Sequence, residues 1–211
     1  DGDYNTNTFT ASSYPTYRGS HTTINRYTWN KNNTNTWSES GLNTVNLNTN
    51  YINYLNVIDT KWVNMIAEHD YQVGGNTWTN LITTVGKQKY ENELVNPASD
   101  IKETAKIGLM YVSDYGYAAD PSYWTTVMYR VDAQDYRLAT TSNWMYMGLY
   151  EWTISRNSGT DISFAVGTVG GVINDHVDTA FYAVRPVFYL ASTVNYAGGN
   201  GTIDSPIRLS A

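Results

Sequence analysis

The side chains with catalytic or metal-binding chemistry are few in this 211-residue chain and lie far apart in it. Its three histidines, His21, His69 and His176, match neither the H-E-x-x-H nor the H-x-H spacing of a metal site. Cysteine is absent, which excludes disulfides, thiolate metal sites and cysteine nucleophiles. The signatures of a serine nucleophile elbow, a P-loop and an EF-hand loop are missing as well. We therefore expect no catalytic residue, no metal ligand and no cofactor, while an active site without a local signature stays open.

Two pairs of residues have spacings that could bring titratable groups together. Glu91 and Glu93 stand two positions apart in a predicted helix, where their side chains diverge, so a solvated face is the better interpretation. Asp175 directly precedes His176, and an acid in that place could orient an imidazole. Neighbouring residues of a strand point to opposite faces, however, and no serine partner is indicated. We therefore do not expect this pair to be catalytic.

Charge and composition limit the classes of function. The formal net charge is -6 and no cluster of lysine or arginine occurs, which argues against binding to nucleic acid. No stretch approaches the roughly 18 apolar residues of a membrane helix, so we expect no membrane insertion of this domain. The 19 tyrosines and 7 tryptophans, with abundant Asn and Thr, are typical of binding surfaces, although AT-rich codon usage is an alternative cause. The length suits one domain over residues 1–211.

The first half of the chain carries the predicted helices. Residues 1–36 suit short strands with long polar loops. Residues 37–55 place leucines and a tyrosine near helical spacing, which predicts an amphipathic helix. Residues 57–71 are apolar in a pattern that fits either a helix or a strand. A further helix is predicted over residues 81–94, interrupted at Gly86.

The second half carries the predicted strands. Apolar and aromatic residues alternate there, between turns of Gly and Asn, as is typical of strands. The predicted strand regions are 107–117, 143–155, 162–173 and 181–190, followed by a closing hairpin with its turn at residues 198–201. Helices followed by antiparallel strands predict an α+β domain rather than a β-α-β array.

Two sequence frames carry a resemblance to a known family. WTISR at residues 152–156 and YAVRPVFYL at residues 182–190 flank a segment of small and polar residues. The stretch resembles the ligand-binding end of C-type lectin-fold domains related to formylglycine-generating enzymes, and more narrowly the variable proteins of diversity-generating retroelements in gut bacteria and phages. Residues 37–55 and 107–118 resemble the helix and strand of the same proteins. The resemblance implies a C-type lectin-like fold with two main helices, a small mainly antiparallel sheet and long loops.

The resemblance also implies a hypervariable, ligand-binding segment at about residues 157–181. Its frame keeps apolar residues or glycine at Phe164, Val166, Gly170, Val172 and Val177. Period-two alternation along a strand would bury those side chains and turn the intervening ones to solvent. The predicted ligand-binding residues are Trp152, Asn157, Thr160, Asp161, Ser163, Ala165, Gly167, Thr168, Val169, Gly171, Ile173, Asn174, Asp175, His176, Asp178, Thr179 and Phe181.

Four further residues, together with Trp152, flank this segment. An aromatic group could wall the surface, although core packing is the better interpretation for at least half of its members: Trp144, Tyr146, Tyr150 and Trp152. Arg185, next to Pro186, is predicted to pair with a buried carboxylate and lock the last strand.

Two activities of the related families are not expected. Formylglycine-generating enzymes rely on cysteines, which this chain lacks, so their oxidase activity is not carried over. The E-P-N or Q-P-D tripeptide and the W-N-D partner of calcium-dependent sugar-binding lectins are absent too.

The sequence therefore predicts a non-enzymatic binding domain, a retroelement-diversified receptor or adhesin on a bacterial cell surface or phage particle. Its partner would be a protein or glycan on another cell or particle, and its oligomeric state stays open. One alternative is a structural or tip subunit of a pilus or fibre, which predicts a large apolar self-association patch and a missing or donated strand at residues 1–36. The other alternative is an enzyme on the same fold with an unrecognised site.

Overall fold

The computed structural model describes residues 6–83, 85–129 and 134–210 of the chain. Helices and strands are mixed along it, as an α+β domain requires. The strands are β1 (Thr6–Thr10), β2 (Thr23–Tyr27), β3 (His69–Gln72), β4 (Lys102–Ala105), β5 (Ile107–Leu109), β6 (Glu151–Arg156), β7 (Ile162–Val166), β8 (Val172–His176), β9 (Pro186–Phe188), β10 (Asn195–Gly198) and β11 (Arg208–Ser210).

The helices are short and concentrate in the first two-thirds of the chain. A π-helix over Leu42–Tyr51 continues into α1 (Ile52–Ile58), and a second π-helix over Glu91–Val95 directly follows the helix Gly86–Tyr90. The other helices are α2 (Thr60–Asn64), α3 (Trp78–Thr83), α4 (Gly86–Tyr90), α5 (Val112–Tyr117) and α6 (Gln134–Ala139), with 3-10 turns at Ala11–Ser13, Trp37–Glu39 and Pro121–Tyr123. Within the described ranges, no helix is both long and apolar enough to span a bilayer.

The strands form small antiparallel sheets. The pairs are β1–β2, β3–β4, β5–β9 and β10–β11, and one sheet has three strands in the order β6-β7-β8. In the three-stranded sheet, Ile162 lies opposite His176 and Val166 lies opposite Val172. The strands expected within residues 1–36 are present as the β1–β2 hairpin, while residues 1–5 lie outside the described part.

The three-stranded sheet lies between two hydrophobic clusters. Trp152 and Ala165 belong to the first cluster, which also contains Trp29 and Trp37. The second cluster contains Phe164, Val166, Val172 and Tyr115. Successive residues of β7 therefore enter opposite clusters, as the period of two requires. Strands β6 and β7 are therefore buried on both faces, whereas β8 is buried only at Val172 and Ile173.

Several predicted elements are confirmed. The helix expected over residues 37–55 is present from Leu42 onward. The ambiguous stretch 57–71 contains both elements, because helix α2 is followed by strand β3. The helix expected over residues 81–94 is interrupted, but before Gly86 rather than at it, because α3 ends at Thr83 and Gly86 is the first residue of α4 after the N-cap Val85. The closing hairpin is β10–β11.

Two strand predictions are largely wrong. Of residues 107–117 only β5 is a strand, and residues 112–117 form helix α5. Two carboxylates favour that helix: Asp114 accepts from the Tyr111 N–H at 2.8 Å, and Glu93 accepts from the Ser113 N–H at 2.9 Å. Both satisfy N–H groups that a helix start leaves unpaired. Of residues 143–155 only β6 is a strand, because turns occupy the part before it.

Candidate ligand-binding surface

The burial of β7 and its neighbours corrects the predicted ligand-binding set. Alternating exposure was expected along these strands, yet Ala165 is 0% exposed. The cause is that both faces of the sheet are covered by a hydrophobic cluster, so the small side chains are buried as well as the large ones. The predicted binding residues that the structure buries are Trp152, Ser163, Ala165, Gly167, Gly171 and Ile173.

The remaining predicted residues lie in two places: in the turn between β7 and β8, and around the other end of β7, where the β6–β7 turn, the second half of edge strand β8 and the chain after it meet. Thr168 and Val169 lie in the turn between β7 and β8, and both are half-buried. That turn is separated from the other end by the length of β7, which is about 13 Å at about 3.3 Å per residue. We call the larger group at that other end the sheet-end surface. Its residues, all half-buried or exposed, are Asn157, Thr160, Asp161, Asn174, Asp175, His176, Asp178, Thr179 and Phe181.

An acid–histidine pair joins the two chain segments of the sheet-end surface. The Nδ1 atom of His176 lies 2.6 Å from Oδ2 of Asp161. The hydrogen bond to Asp161 raises the pKa of His176 above its usual value, and the nearby Asp175 and Asp178 act in the same direction. The same contact lowers the pKa of Asp161. Protonated His176 is therefore held on the surface by neighbouring carboxylates.

Asp175 and His176 diverge, as the sequence indicated. The Asp175 carboxylate accepts a hydrogen bond from the Tyr182 hydroxyl at 2.6 Å, while the His176 ring contacts Asp161 instead. The adjacent Asp–His pair therefore does not form the acid–imidazole contact of a catalytic triad. Within the described residues, no group of three or more His, Asp or Glu side chains could hold a metal ion.

Asn35 and Arg156 hold the turn between β6 and β7. The Asn35 Nδ2 atom donates to the carbonyls of Asn157 at 2.7 Å and Ile162 at 2.8 Å. Arg156 Nη1 in turn donates to Asn35 Oδ1 at 3.0 Å, and its Nε donates to the Val73 carbonyl at 2.7 Å. Asn35 was not predicted, because one Asn in an Asn-rich stretch carries no signal. Arg156 closes the WTISR frame, which was the available clue.

The flanking aromatic residues divide as expected between core and surface. Tyr146 and Trp152 are buried, which confirms core packing for half of the group. The Tyr146 hydroxyl donates to the Thr168 carbonyl at 2.6 Å and so supports the β7–β8 turn. Trp144 is 76% exposed, and Tyr150 is half-buried and stacked on Tyr182.

Arg185 has the structural partner that the sequence predicted. Its Nη2 atom donates to both carboxylate oxygens of Glu151 at 2.9 Å and to the Met145 carbonyl at 2.7 Å. Glu151 is buried, and burial raises its pKa while Arg185 opposes that rise. The pair links the chain just before β9 to the first residue of β6.

Glu93 corrects the prediction of a solvated acidic face. Glu91 and Glu93 do diverge, but Glu93 is buried, accepting from the Ser155 hydroxyl and from the N–H groups of Val112 and Ser113. Burial raises the pKa of Glu93. Through these contacts Glu93 stabilises the start of α5.

No protein-family model, no curated protein and no solved structure matches this chain.

Proposed function

We propose that this protein is a non-enzymatic ligand-binding domain with a C-type lectin-like fold, and that the sheet-end surface contacts a protein or glycan ligand. The resemblance of the 152–156 and 182–190 frames to retroelement-diversified variable proteins supports this assignment. It also supports display outside the cell, on a bacterial surface or a phage particle, as a receptor or adhesin. The hypervariable residues are then only the accessible ones within residues 157–181, because the buried ones support the fold.

One observation carries the proposal. Nine side chains from two chain segments are accessible at the β6–β7 turn, along the second half of edge strand β8 and just after it, next to strands β6 and β7, which are buried. A well-packed sheet holds its end in one conformation, so little conformational entropy is lost when a ligand binds there. Side chains on the accessible end can also change without creating a cavity or overpacking the core.

The chemistry of the sheet-end surface favours a polar contact. It presents three aspartates and one histidine, together with Asn, Thr and Phe side chains. These groups accept and donate hydrogen bonds, and the partly accessible Phe181 supplies apolar area. Each contact of this kind is weak, so we expect useful affinity to depend on several copies binding together.

Binding of the biotinylated domain, tetramerised on streptavidin, to panels of intact bacterial cells tests this function. Treating the cells with protease removes a protein ligand, while periodate oxidises a glycan ligand. The Asn174→Arg/Thr179→Arg double variant places two long charged side chains on the sheet-end surface, and we expect it to lose binding. No side-chain hydrogen bond of either residue holds the fold within the described part of the chain.

The matched control is the Asn50→Arg/Thr125→Arg variant, which makes the same two exchanges at exposed positions elsewhere. It should bind as the parent does. Equal loss in both variants, or full binding by both, would contradict a role for the sheet-end surface.

A second candidate function is a subunit that associates with another copy of itself. An apolar groove of about 250 Å³ is lined by residues from three parts of the chain: Tyr51, Leu55, Trp62, Met65, Ile66, Phe188, Leu190 and Leu209. Leu209 belongs to the β10–β11 hairpin, whose residues are almost all exposed. Because a two-stranded hairpin is marginally stable alone, packing against a second copy would stabilise it. The strand that this alternative expected to be missing at residues 1–36 is present as β1.

A further inference from the structure

A groove separate from the sheet-end surface lies between strand β4 and the Leu42–Tyr51 π-helix. Its volume is about 470 Å³, within the range of about 300–1,000 Å³ that is usual for ligand sites. Residues 103–106 form one wall, and side chains of the π-helix, including Asn43 and Asn48, form the other. We call it the β4-edge groove. It shares no residue with the sheet-end surface.

Strand β4 has one free edge. Within the described ranges it pairs only with β3, in a two-stranded sheet. The Val73 N–H donates to the Ile101 carbonyl at 2.7 Å, so the odd-numbered residues of this segment direct their backbone groups to β3. Backbone groups of an antiparallel strand alternate between its two sides, so the N–H and C=O groups of Lys102 and Thr104 point away from β3. None of these four groups has a hydrogen-bond partner among the described residues.

The wall that faces this edge is held by its own hydrogen bonds. Asn48 Nδ2 donates to Asn43 Oδ1 at 2.7 Å and to the Ile107 carbonyl at 2.8 Å, and Asn48 Oδ1 accepts from the Ile107 N–H at 3.0 Å. The Thr44 hydroxyl donates to the Ser40 carbonyl at 3.0 Å. These side chains therefore fix the shape of the groove, and the unpaired polar groups beside it are those of the β4 backbone. A row of N–H and C=O groups along a strand edge is matched by the backbone of another extended chain.

The charged side chains of the groove add a preference for a basic ligand. Glu68, Glu103 and Lys106 line it. The Lys106 Nζ atom donates to the Ile66 carbonyl at 2.9 Å, while neither glutamate belongs to an ion pair within the described part of the chain. A residue opposite Glu103 in an added strand has its side chain on the same side of the sheet, so a lysine or arginine there would face the carboxylate.

We propose that the β4-edge groove binds an extended peptide segment of a partner protein, which carries a lysine or arginine and adds to the β3–β4 sheet as a third strand. The backbone of the segment exchanges hydrogen bonds with Lys102 and Thr104, and its basic side chain faces Glu103. This binding is independent of the ligand of the sheet-end surface.

Selection of a phage-displayed library of random octapeptides on the immobilised domain tests the proposal. The enriched sequences should carry lysine or arginine, and the synthetic peptides should bind the domain in a fluorescence anisotropy titration. Methylating the backbone nitrogens of a peptide one at a time removes one donor in each case. Binding should weaken about 10-fold or more at alternate residues only, because every second residue of a strand directs its backbone groups to β4.

Thr104→Pro removes the N–H of residue 104 from the free edge. Proline is tolerated there, because that N–H points away from β3. We expect this variant to bind the peptides about 10-fold more weakly or worse. The matched control is Thr104→Val, which keeps the N–H and loses only the hydroxyl that donates to Asp70 at 2.6 Å. It should bind as the parent does, and so should Asn174→Arg/Thr179→Arg.

Enrichment of no peptide would overturn the proposal, as would enrichment of peptides without lysine or arginine. Equal binding of the enriched peptides to the parent and to Thr104→Pro would also overturn it. Loss of binding in Asn174→Arg/Thr179→Arg would move the peptides to the sheet-end surface and contradict a separate site. If Thr104→Pro fails to fold, the methylated peptides decide, because an effect without alternation along the peptide excludes strand pairing.

Discussion

The Nη2 atom of Arg185 lies 2.9 Å from each carboxylate oxygen of Glu151, and this pair ties the chain before β9 to the start of β6. Glu151 is buried, whereas the Arg185 side chain keeps about a quarter of its surface accessible. Removing one partner of a buried ion pair destabilises a protein by more than the intact pair contributes to its stability, because the remaining charge stays desolvated.

Arg185→Met should destabilise the domain by about 3–5 kcal/mol, because it leaves the buried Glu151 without its cationic partner. Replacing both residues, as in Glu151→Leu/Arg185→Met, should recover most of that loss, because no unpaired charge then remains. Urea unfolding of the parent, the two single variants and the double variant measures this coupling. A loss below about 1 kcal/mol for Arg185→Met would show that the pair is no more than a surface contact.

His176 should titrate above its usual range in the folded parent. Its hydrogen bond to Asp161 favours the charged imidazolium and raises the pKa. Because the folded pKa is raised, the pair's stabilisation is present below the unfolded value of 6.5 and is lost as the pH rises through the folded pKa. NMR titration should show a lower His176 pKa in Asp161→Asn than in the parent. Equal values in the two proteins would contradict the contact.

Glu93 should make the domain less stable as the pH rises. Burial raises the folded pKa of Glu93 above 4.5, so its favourable contribution is complete below pH 4.5 and is lost above it, through the folded pKa. Lys89, whose pKa burial lowers to about 8, stays protonated in the acidic part of this window.

Glu93→Gln keeps a carbonyl oxygen that can accept from Val112 or Ser113, but it cannot ionise. Relative to this variant, the stability of the parent should be highest at and below pH 4.5 and should fall toward neutral pH. Urea unfolding of both proteins at several pH values measures the difference. Asp114 titrates in both proteins, but its charge helps to raise the pKa of Glu93 and so acts on a titrating carboxyl in the parent only. A difference that is constant with pH would contradict the burial of a titrating Glu93.

The apolar groove predicts association between copies of this chain. Sedimentation velocity of the parent should show a sedimentation coefficient that rises with protein concentration, because Trp62 and Leu190 are partly exposed beside the groove. Trp62→Glu should remove that rise. Ile203→Glu, at a residue that is 96% exposed and lies outside the groove, should not. A parent that stays monomeric at every concentration would exclude the self-associating subunit.

Local sequence patterns predicted the elements that are determined by neighbouring residues, and they predicted the type of partner that a charged side chain needs. The helix from Leu42 and the closing hairpin follow from spacing and from glycine, whereas the break predicted at Gly86 falls just before it. Arg185, next to Pro186, was predicted to pair with a buried carboxylate and lock the last strand, because guanidinium and carboxylate groups form strong charge-assisted hydrogen bonds. Which carboxylate it meets depends on the tertiary fold.

The sequence predicted less where tertiary packing overrides the local pattern. Alternation along β7 identifies two faces, but it does not reveal that a second cluster covers the face carrying Ala165. Helix α5 likewise depends on Glu93, which lies 19 residues before Val112 in the chain. The support of the β6–β7 turn by Asn35 spans more than 120 residues, which no local signal can show.

A substitution scan across residues 157–181, displayed on cells and sorted for folded protein after mild heating, tests most directly the division of this segment into buried support and accessible contact residues. Changes at Asn174, His176 and Thr179 should alter stability by about 0.5 kcal/mol or less. Larger residues at Ala165, and polar residues at Ile173, should cost about 1–3 kcal/mol and leave the folded pool. Equal tolerance at both groups of positions, or greater tolerance at Ala165 than at Thr179, would contradict strands that are buried on both faces beneath an adaptable binding surface.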